Sequence, residues 1–376
     1  MFGRRGDLEA AIVDFESVIR MDGALVDEVA NSLYNRGNTL GRIGDRKAAI
    51  EYFGKVLELD GVRLHQVAKT LYIRGCFLAE LENYRAAIED YTRLIGLIQT
   101  PPALVASALY KRAVARGRLN EIEAAMADYS RVIQMSGALP LDVASACNNR
   151  GICHDRLGDN EAAIADYTRA IELEDAAPPQ IANALLNRGV TQGQLGNAAA
   201  ALADYTRIVE LKEAPPEHMV LALVNRATAH SVLGDARSET EDLLAALELS
   251  ARDPTLQMHN LIHALAKTCW RLPAATEERR RLKGKIDALF GTMQESAKLA
   301  LGTAFLTIAQ RHGDARLWCE SWDYLIALEN APIQENLGPL VAVRAHLGGA
   351  GDALHPLAVE ERVFAQEFLS GFKEAG

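Results

Sequence analysis

Apolar residues recur along this chain at the spacing of a helix face, as in Ala163, Ile164, Tyr167 and Ile171, and no segment carries the alternation of a strand. A longer period lies over the helical one. Arg36, Arg74, Arg112, Arg150, Arg188 and Arg226 stand 38 residues apart, each followed by glycine or alanine: Gly37, Gly75, Ala113, Gly151, Gly189 and Ala227. Seven residues beyond that small residue comes a turn signal: Gly44-Asp45, Glu82-Asn83, Asn120-Glu121, Gly158-Asp159, Gly196-Asn197 and Gly234-Asp235, with Gly6-Asp7 once earlier. After the turn come small residues (Ala49, Ala87, Ala125, Ala163, Ala201). Acidic–aromatic pairs follow: Asp14-Phe15, Asp90-Tyr91, Asp128-Tyr129, Asp166-Tyr167 and Asp204-Tyr205. Pro102, Pro140, Pro178 and Pro216 recur with the same period.

Each mark has a mechanical reason. Glycine supplies the left-handed backbone that ends a helix. The Asp or Asn after it accepts from the free N–H groups of the next helix. Proline suits the first position of a helix. The small residues let two helices approach. Each unit therefore reads as a helix–turn–helix hairpin, helix A then helix B, that buries its apolar face only when stacked on its neighbours.

The stretch Leu185-Leu186-Asn187-Arg188-Gly189 through Leu195-Gly196, Ala201, Tyr205 and Leu211 resembles the tetratricopeptide-repeat family in residue type and order. The resemblance covers about residues 1–250 and implies an all-α fold: a right-handed superhelical solenoid of stacked antiparallel helix hairpins. The family period is 34 residues, so about four extra residues are expected in each connection between hairpins, around Ala176 to Pro179. The expected organisation is a repeat array over 1–250, with a truncated first hairpin and six full units, capped by degenerate hairpins over 251–376. The capping helices are predicted at Thr255–Leu272, Ala275–Phe290, Met293–His312, Ala315–Glu329, Glu335–His346 and Pro356–Phe372, with Leu301-Gly302, Phe305 and Trp322-Asp323-Tyr324 as faint echoes of the repeat. Because Phe2 falls opposite Leu40, the chain is expected to start inside a hairpin, with helix B (Asp7 to Met21) lacking its partner. That reading makes the chain a fragment of a longer protein; the alternative is a second copy or a partner covering Ile12, Phe15 and Ile19.

In this family helix A lines the concave groove. Three residues before the Gly/Ala the helix-A column is Tyr34, Tyr72, Tyr110, Asn148, Leu186 and Val224; two before, it is Asn35, Ile73, Lys111, Asn149, Asn187 and Asn225. Five residues after it stand Arg42, Glu80, Arg118, Arg156, Gln194 and Val232. Asn149, Asn187 and Asn225 form a row of carboxamides, each able to meet both N–H and C=O of an extended peptide. The row looks like the asparagine ladder of O-linked N-acetylglucosamine transferases. At about 0.5–1.5 kcal/mol per hydrogen bond, three give weak binding, so side-chain anchors must add to it. The other reading has these asparagines bonding neighbouring repeats. Asn35, Tyr34, Tyr72, Tyr110, Arg42, Arg118 and Arg156 complete the candidate partner-binding set, since Tyr and Arg are enriched at binding hot spots; the tyrosines read equally as half-buried packing residues. The two-carboxylate clamp of chaperone-tail binders is absent: Tyr, Asn, Leu or Val stands at its lysine position, and Ile73 follows where Asn38 would need a second asparagine.

Composition narrows the function further. The chain has 376 residues, 49% hydrophobic and 6% aromatic, with a formal net charge of −10 and pI near 5.5. That balance argues against nucleic-acid binding. Five scattered cysteines describe no disulfide framework. No apolar run is long enough for a membrane span, and Met1 to Gly6 is not a signal peptide, so a cytoplasmic location is expected. Candidate chemistry is sparse. His259 and His263 share a helix face, but Asn260 stands where a zinc peptidase carries its glutamate. Cys147, in a column of leucines, reads as core. Arg279-Arg280-Arg281-Leu282-Lys283-Gly284-Lys285, preceded by Glu277 and Glu278, reads as a solvated helix. The recurring arginine pairs in register with Asp166 or Asp204 and reads as a structural ion pair between helices A and B. The expectation is a non-catalytic scaffold, with no cofactor and no metal, that binds an extended peptide or partner helix in its groove. Two alternatives stand beside it: a regulatory or sensor module of a larger enzyme, and a self-assembly module associating through the truncated hairpin.

Overall fold

The computed structural model describes residues 2–21, 23–252, 259–273, 275–290, 301–302, 304–305 and 307–308. Among them the regular elements are all helices: α1 (Phe2–Ile19), α2 (Val26–Ile43), α3 (Arg46–Glu58), α4 (Leu64–Glu80), α5 (Tyr84–Ile95), α6 (Pro102–Arg118), α7 (Ile122–Gln134), α8 (Pro140–Arg156), α9 (Asn160–Glu172), α10 (Pro178–Gln194), α11 (Ala198–Glu210), α12 (Pro216–Val232), α13 (Ala236–Arg252), α14 (His259–Arg271) and α15 (Glu277–Phe290). This is the expected fold class, an all-α solenoid of stacked antiparallel hairpins. From α2 onward the helices A start at 26, 64, 102, 140, 178 and 216, and the helices B at 46, 84, 122, 160, 198 and 236.

The chain divides into two compact units, Met1–Ala184 and Leu185–Gly376. In the first, α2–α3, α4–α5, α6–α7 and α8–α9 are hairpins, and α3, α5 and α7 each pack on the next helix A. Helices A also touch one another (α2 with α4, α4 with α6, α6 with α8), which places them on the inner side of this unit's stack. In the second unit, α11 packs on α12, α12 on α13, α14 on α12 and α13, and α15 on α13 and α14.

Helix ends follow the chemistry of their residues. Asp45, Asn83, Asp159 and Asp235 each accept from the backbone N–H three residues on, capping a helix B. Glu121 and Asn197 make no such cap. The turn residue before the cap is left-handed in every hairpin: Gly44, Gly158, Gly196 and Gly234, but also Glu82 (φ 60°) and Asn120 (φ 62°). A non-glycine residue there is held against a preference of about 1–2 kcal/mol. Glu82→Gly should therefore raise stability by about 1 kcal/mol after glycine's own entropic cost, read as a higher melting temperature; an unchanged or lower one would show that Glu82 makes a compensating contact. The connections from helix B to the next helix A carry left-handed residues as well, at Gly23, Gly61, Gln99, Gly137 and Glu213.

Two expectations need correction. Gly6-Asp7 is no turn: α1 runs unbroken from Phe2 to Ile19, since one glycine inside a helix costs only about 1 kcal/mol. In α1, Ile12, Phe15 and Ile19 are half-buried on a helix that packs against α2. Arg279 is not solvated. It lies on the inner face of α15 with Leu282 and Ile286, buried, and its Nε donates to the Cys269 carbonyl at 2.6 Å. Of the predicted capping helices, α14 and α15 match the first two; Leu301 and Phe305 are buried, and the rest of the predictions beyond 290 fall outside the described residues, as does the His259 side chain. Cys147 is fully buried as expected, its thiol pushed up to about 11 by burial.

Candidate functional site

The recurring arginine is settled by geometry. Nε and Nη2 of Arg74, Arg112, Arg150, Arg188 and Arg226 grip both carboxylate oxygens of Asp90, Asp128, Asp166, Asp204 and Asp242 at 2.5–2.9 Å. The fork geometry makes each pair bidentate, tying helix A to its own helix B. Where an aspartate is missing, Tyr52 takes its place, and the Arg36 guanidinium stands 4.4 Å over that ring. The third guanidinium nitrogen reaches the previous hairpin: Arg112 donates to Thr92 (2.9 Å), Arg150 to Ser130 (2.9 Å) and Arg226 to Thr206 (3.1 Å). One arginine thus fixes both the hairpin and its stacking. Sequence reasoning missed this second bond, although a Thr or Ser following Asp-Tyr in four repeats (Thr92, Ser130, Thr168, Thr206) was the available signal.

With the arginines engaged, the helix-A face belongs to the other columns. Tyr34, Tyr72 and Tyr110 are half-buried, their rings tilted on Phe53, Tyr91 and Tyr129 at 5.6, 6.3 and 6.0 Å between centroids. Burial, with Cys76 and Asp142 nearby, pushes the Tyr72 phenol up to about 12. These rings pack as much as they present. Asn149 is half-buried and engaged: its amide donates to the Tyr110 hydroxyl at 3.2 Å and its oxygen accepts from Asn148 at 3.3 Å. Asn187 is half-buried, with its backbone oxygen accepting from Thr191. Asn225, also half-buried, lines a cavity in the second unit. Asn35 is exposed. Arg42, Arg118 and Arg156 are exposed in the last turn of their helices, where a cation also complements the helix dipole. The structure therefore brings Tyr110 and Asn149 together and leaves the three arginines on the surface.

Buried tyrosines of helices B show a third pattern, and their hydroxyls differ in what they meet. Tyr91 donates to Cys76 Sγ (3.6 Å) and Tyr167 donates to Asp155 (2.6 Å), while the Tyr129 ring tilts on Tyr110. Tyr205 makes no hydroxyl hydrogen bond among the described residues. Its ring rests against Gly189 of α10, and burial pushes its phenol up to about 12.

Models of the tetratricopeptide repeat match residues 30–62, 68–101 and 182–215, 144–175, and 107–135. No curated protein matches the sequence. Among solved structures the chain is similar to BtubC from P. vanneervenii, at 18% identity over 58% of this chain and 93% of that one, with a TM-score of 0.48. It is similar to a tetratricopeptide repeat protein from Parabacteroides merdae, at 15% identity over 82% and 99%, with a TM-score of 0.45. A third, YrrB, described as a TPR protein with an unusual peptide-binding site, shares 22% identity over 56% and 95%, with a TM-score of 0.40. No described helix is long and apolar enough to cross a membrane. Five matched segments, each covering a stacked hairpin of α2 to α11, place the chain in the tetratricopeptide-repeat family of protein-interaction scaffolds.

Proposed function

We propose that this chain is a non-catalytic scaffold that binds an extended peptide of a partner protein along the faces of its helices A. The observation that carries the reading is the carboxamide at one helix-A position in Asn149, Asn187 and Asn225, half-buried in each case. A carboxamide offers a donor and an acceptor to a peptide backbone whatever its sequence. The acidic balance of −10 supports a protein partner over nucleic acid.

The contacts of Asn149 sharpen the test. Asn149→Ala removes the bond to Tyr110 and should cost about 1 kcal/mol of stability, whereas Asn225→Ala should leave the melting temperature unchanged. Peptides selected from an immobilised random library should bind the Asn187→Ala/Asn225→Ala variant about tenfold more weakly, at one net hydrogen bond or more, in fluorescence anisotropy. Equal affinity for variant and parent would remove the asparagines from the site.

A further inference from the structure

In the second unit a cavity of about 290 Å³ opens between α10, α11 and α12. Glycine is common at this register (Gly41, Gly117 and Gly193), but two other repeats place a hydroxyl partner beside their helix-B tyrosine that this one lacks. Gly193 stands where the preceding repeat carries Asp155, and Val190 stands where an earlier one carries Cys76. Those two residues hold the hydroxyls of Tyr167 and Tyr91. With glycine and valine in their places, the Tyr205 hydroxyl has neither partner. A Cβ added at Gly193 would meet only the Ala201 methyl, at 4.0 Å, so the space a longer side chain would fill stands open.

The lining sets what fits. No charged side chain reaches the cavity, although 24% of the chain is charged, and a charged guest would lose water without gaining a counter-ion. Its walls are mostly apolar, from Val190, Ala201, Ala229 and Val232. Its polar atoms are few: the Tyr205 hydroxyl, the carboxamides of Asn225 and Gln194, and Thr228, whose hydroxyl already donates to the Val224 carbonyl at 3.0 Å. An all-apolar guest would cover Tyr205 and Asn225 and leave them unpaired, a cost of the size that decides selectivity. Its volume lies just under the roughly 300–1,000 Å³ of small-molecule sites, which suits a single side chain. Two of the lining residues are exposed apolar groups, Val190 (38%) and Val232 (76%). Clustered exposed apolar residues of this kind mark an interaction surface.

We propose that this cavity takes one large neutral aromatic side chain with a polar tip, a tyrosine or tryptophan of the bound peptide. The ring packs on the alanines and valines, and its O–H or N–H meets Tyr205 and Asn225, the pairing of apolar body and polar handle that such side chains offer. The proposal rests on the peptide-binding reading above and names the anchor that its asparagines alone do not provide.

The test is ligand-observed saturation-transfer NMR on the full chain with N-acetyl-tyrosinamide, N-acetyl-tryptophanamide, N-acetyl-phenylalaninamide and N-acetyl-lysinamide. The tyrosine and tryptophan amides should receive saturation, the phenylalanine amide about fivefold less for want of a polar tip, and the lysine amide none. Gly193→Asp, which restores the carboxylate partner of the tyrosine and fills the space, should abolish the signal. Tyr205→Phe and Asn225→Ala should each weaken it, and they decide the matter should Gly193→Asp fail to fold. Equal saturation of all four amides, or signals indifferent to these substitutions, would overturn the proposal. Library peptides that bind without tyrosine or tryptophan at any position overturn the anchor while leaving the groove reading intact. Absence of peptide binding together with specific amide binding does the reverse.

Discussion

Asp128→Ala should be the most damaging single truncation in the first unit, costing about 3–5 kcal/mol. Asp128 is 2% exposed and accepts three charge-assisted bonds, two from Arg112 (2.8 and 2.7 Å) and one from Arg116 (2.6 Å). Arg112 is itself buried, and its remaining nitrogen holds Thr92 of the preceding hairpin. Deleting the carboxylate leaves Arg112 out of water with no counter-charge and facing Arg116, whose other carboxylate, Glu121, stands 4.0 Å away. The loss should appear as a lower urea midpoint, with hydrogen exchange rising first in α6 and α7, because coupling in a repeat array runs through nearest neighbours. Arg112→Ala should cost less, since Arg116 still neutralises Asp128. Replacing both partners, as Arg112→Met/Asp128→Leu, should recover much of the loss, because an ion pair out of water is worth little against well-packed apolar groups. A double variant as unstable as Asp128→Ala would mean that shape, not uncompensated charge, is the cause. By contrast Arg237 and Glu241 form an exposed pair, and removing either should leave the urea midpoint essentially unchanged.

Gly151→Val should be nearly as harmful, at about 3 kcal/mol, the upper part of the range for overpacking. A Cβ at Gly151 would lie 2.5 Å from Tyr167 Cε1 and 2.9 Å from Cδ1. The ring cannot yield easily: it is fully buried, and its hydroxyl is tied to Asp155 at 2.6 Å. The same contact recurs at Gly37 on Phe53, Gly75 on Tyr91 and Gly189 on Tyr205, where an added Cβ would lie at 2.6–2.8 Å. Two repeats carry alanine instead. Ala113 stands in register with Tyr129, whose ring tilts on Tyr110 at 6.0 Å between centroids. Ala227 stands in register with Leu243, a smaller partner. Gly151→Ala brings the same Cβ against the ring and should still cost about 2 kcal/mol, and Gly151→Ala/Tyr167→Leu should be closer to the parent than Gly151→Val in thermal unfolding. If Gly151→Val melts with the parent, the helices are free to separate and the close approach is not what fixes their spacing.

Much of this molecule was legible as text because it is periodic. Proline at the start of helix A, glycine before the turn and the Asp, Asn or alanine beyond it each perform a local task, and local tasks repeat when the unit repeats. Arg150 with Asp166 was readable for the same reason, since two complementary charges in constant register imply a contact. The bond from Arg150 to Ser130 was harder to read. It joins different hairpins, and a hydroxyl carries little sign of its partner. Arg279 was misread because a run of basic residues conceals which of them lies on the apolar face of its helix. The turn at Gly6-Asp7 was overread, since a pattern that ends one helix is tolerated inside another.

The candidate site divides along the same line. The columns Tyr34 to Tyr110 and Asn149 to Asn225 were named from register alone, but whether a tyrosine is packed or presented, or an asparagine engaged, depends on what leans against it. Asn149 turned out to hold Tyr110; the cavity beside Asn225 has no trace in the period, because glycine stands at the register of Gly193 in Gly41 and Gly117 as well, and only packing decides where space is left. Sequence by itself determined the hairpins, their ends and the charge pairs that join them, since each is set by backbone preference or by residues at fixed spacing. Tertiary packing alone decided which polar groups are already satisfied and where space is left, because close-packed side chains settle those outcomes jointly and no single position records the result.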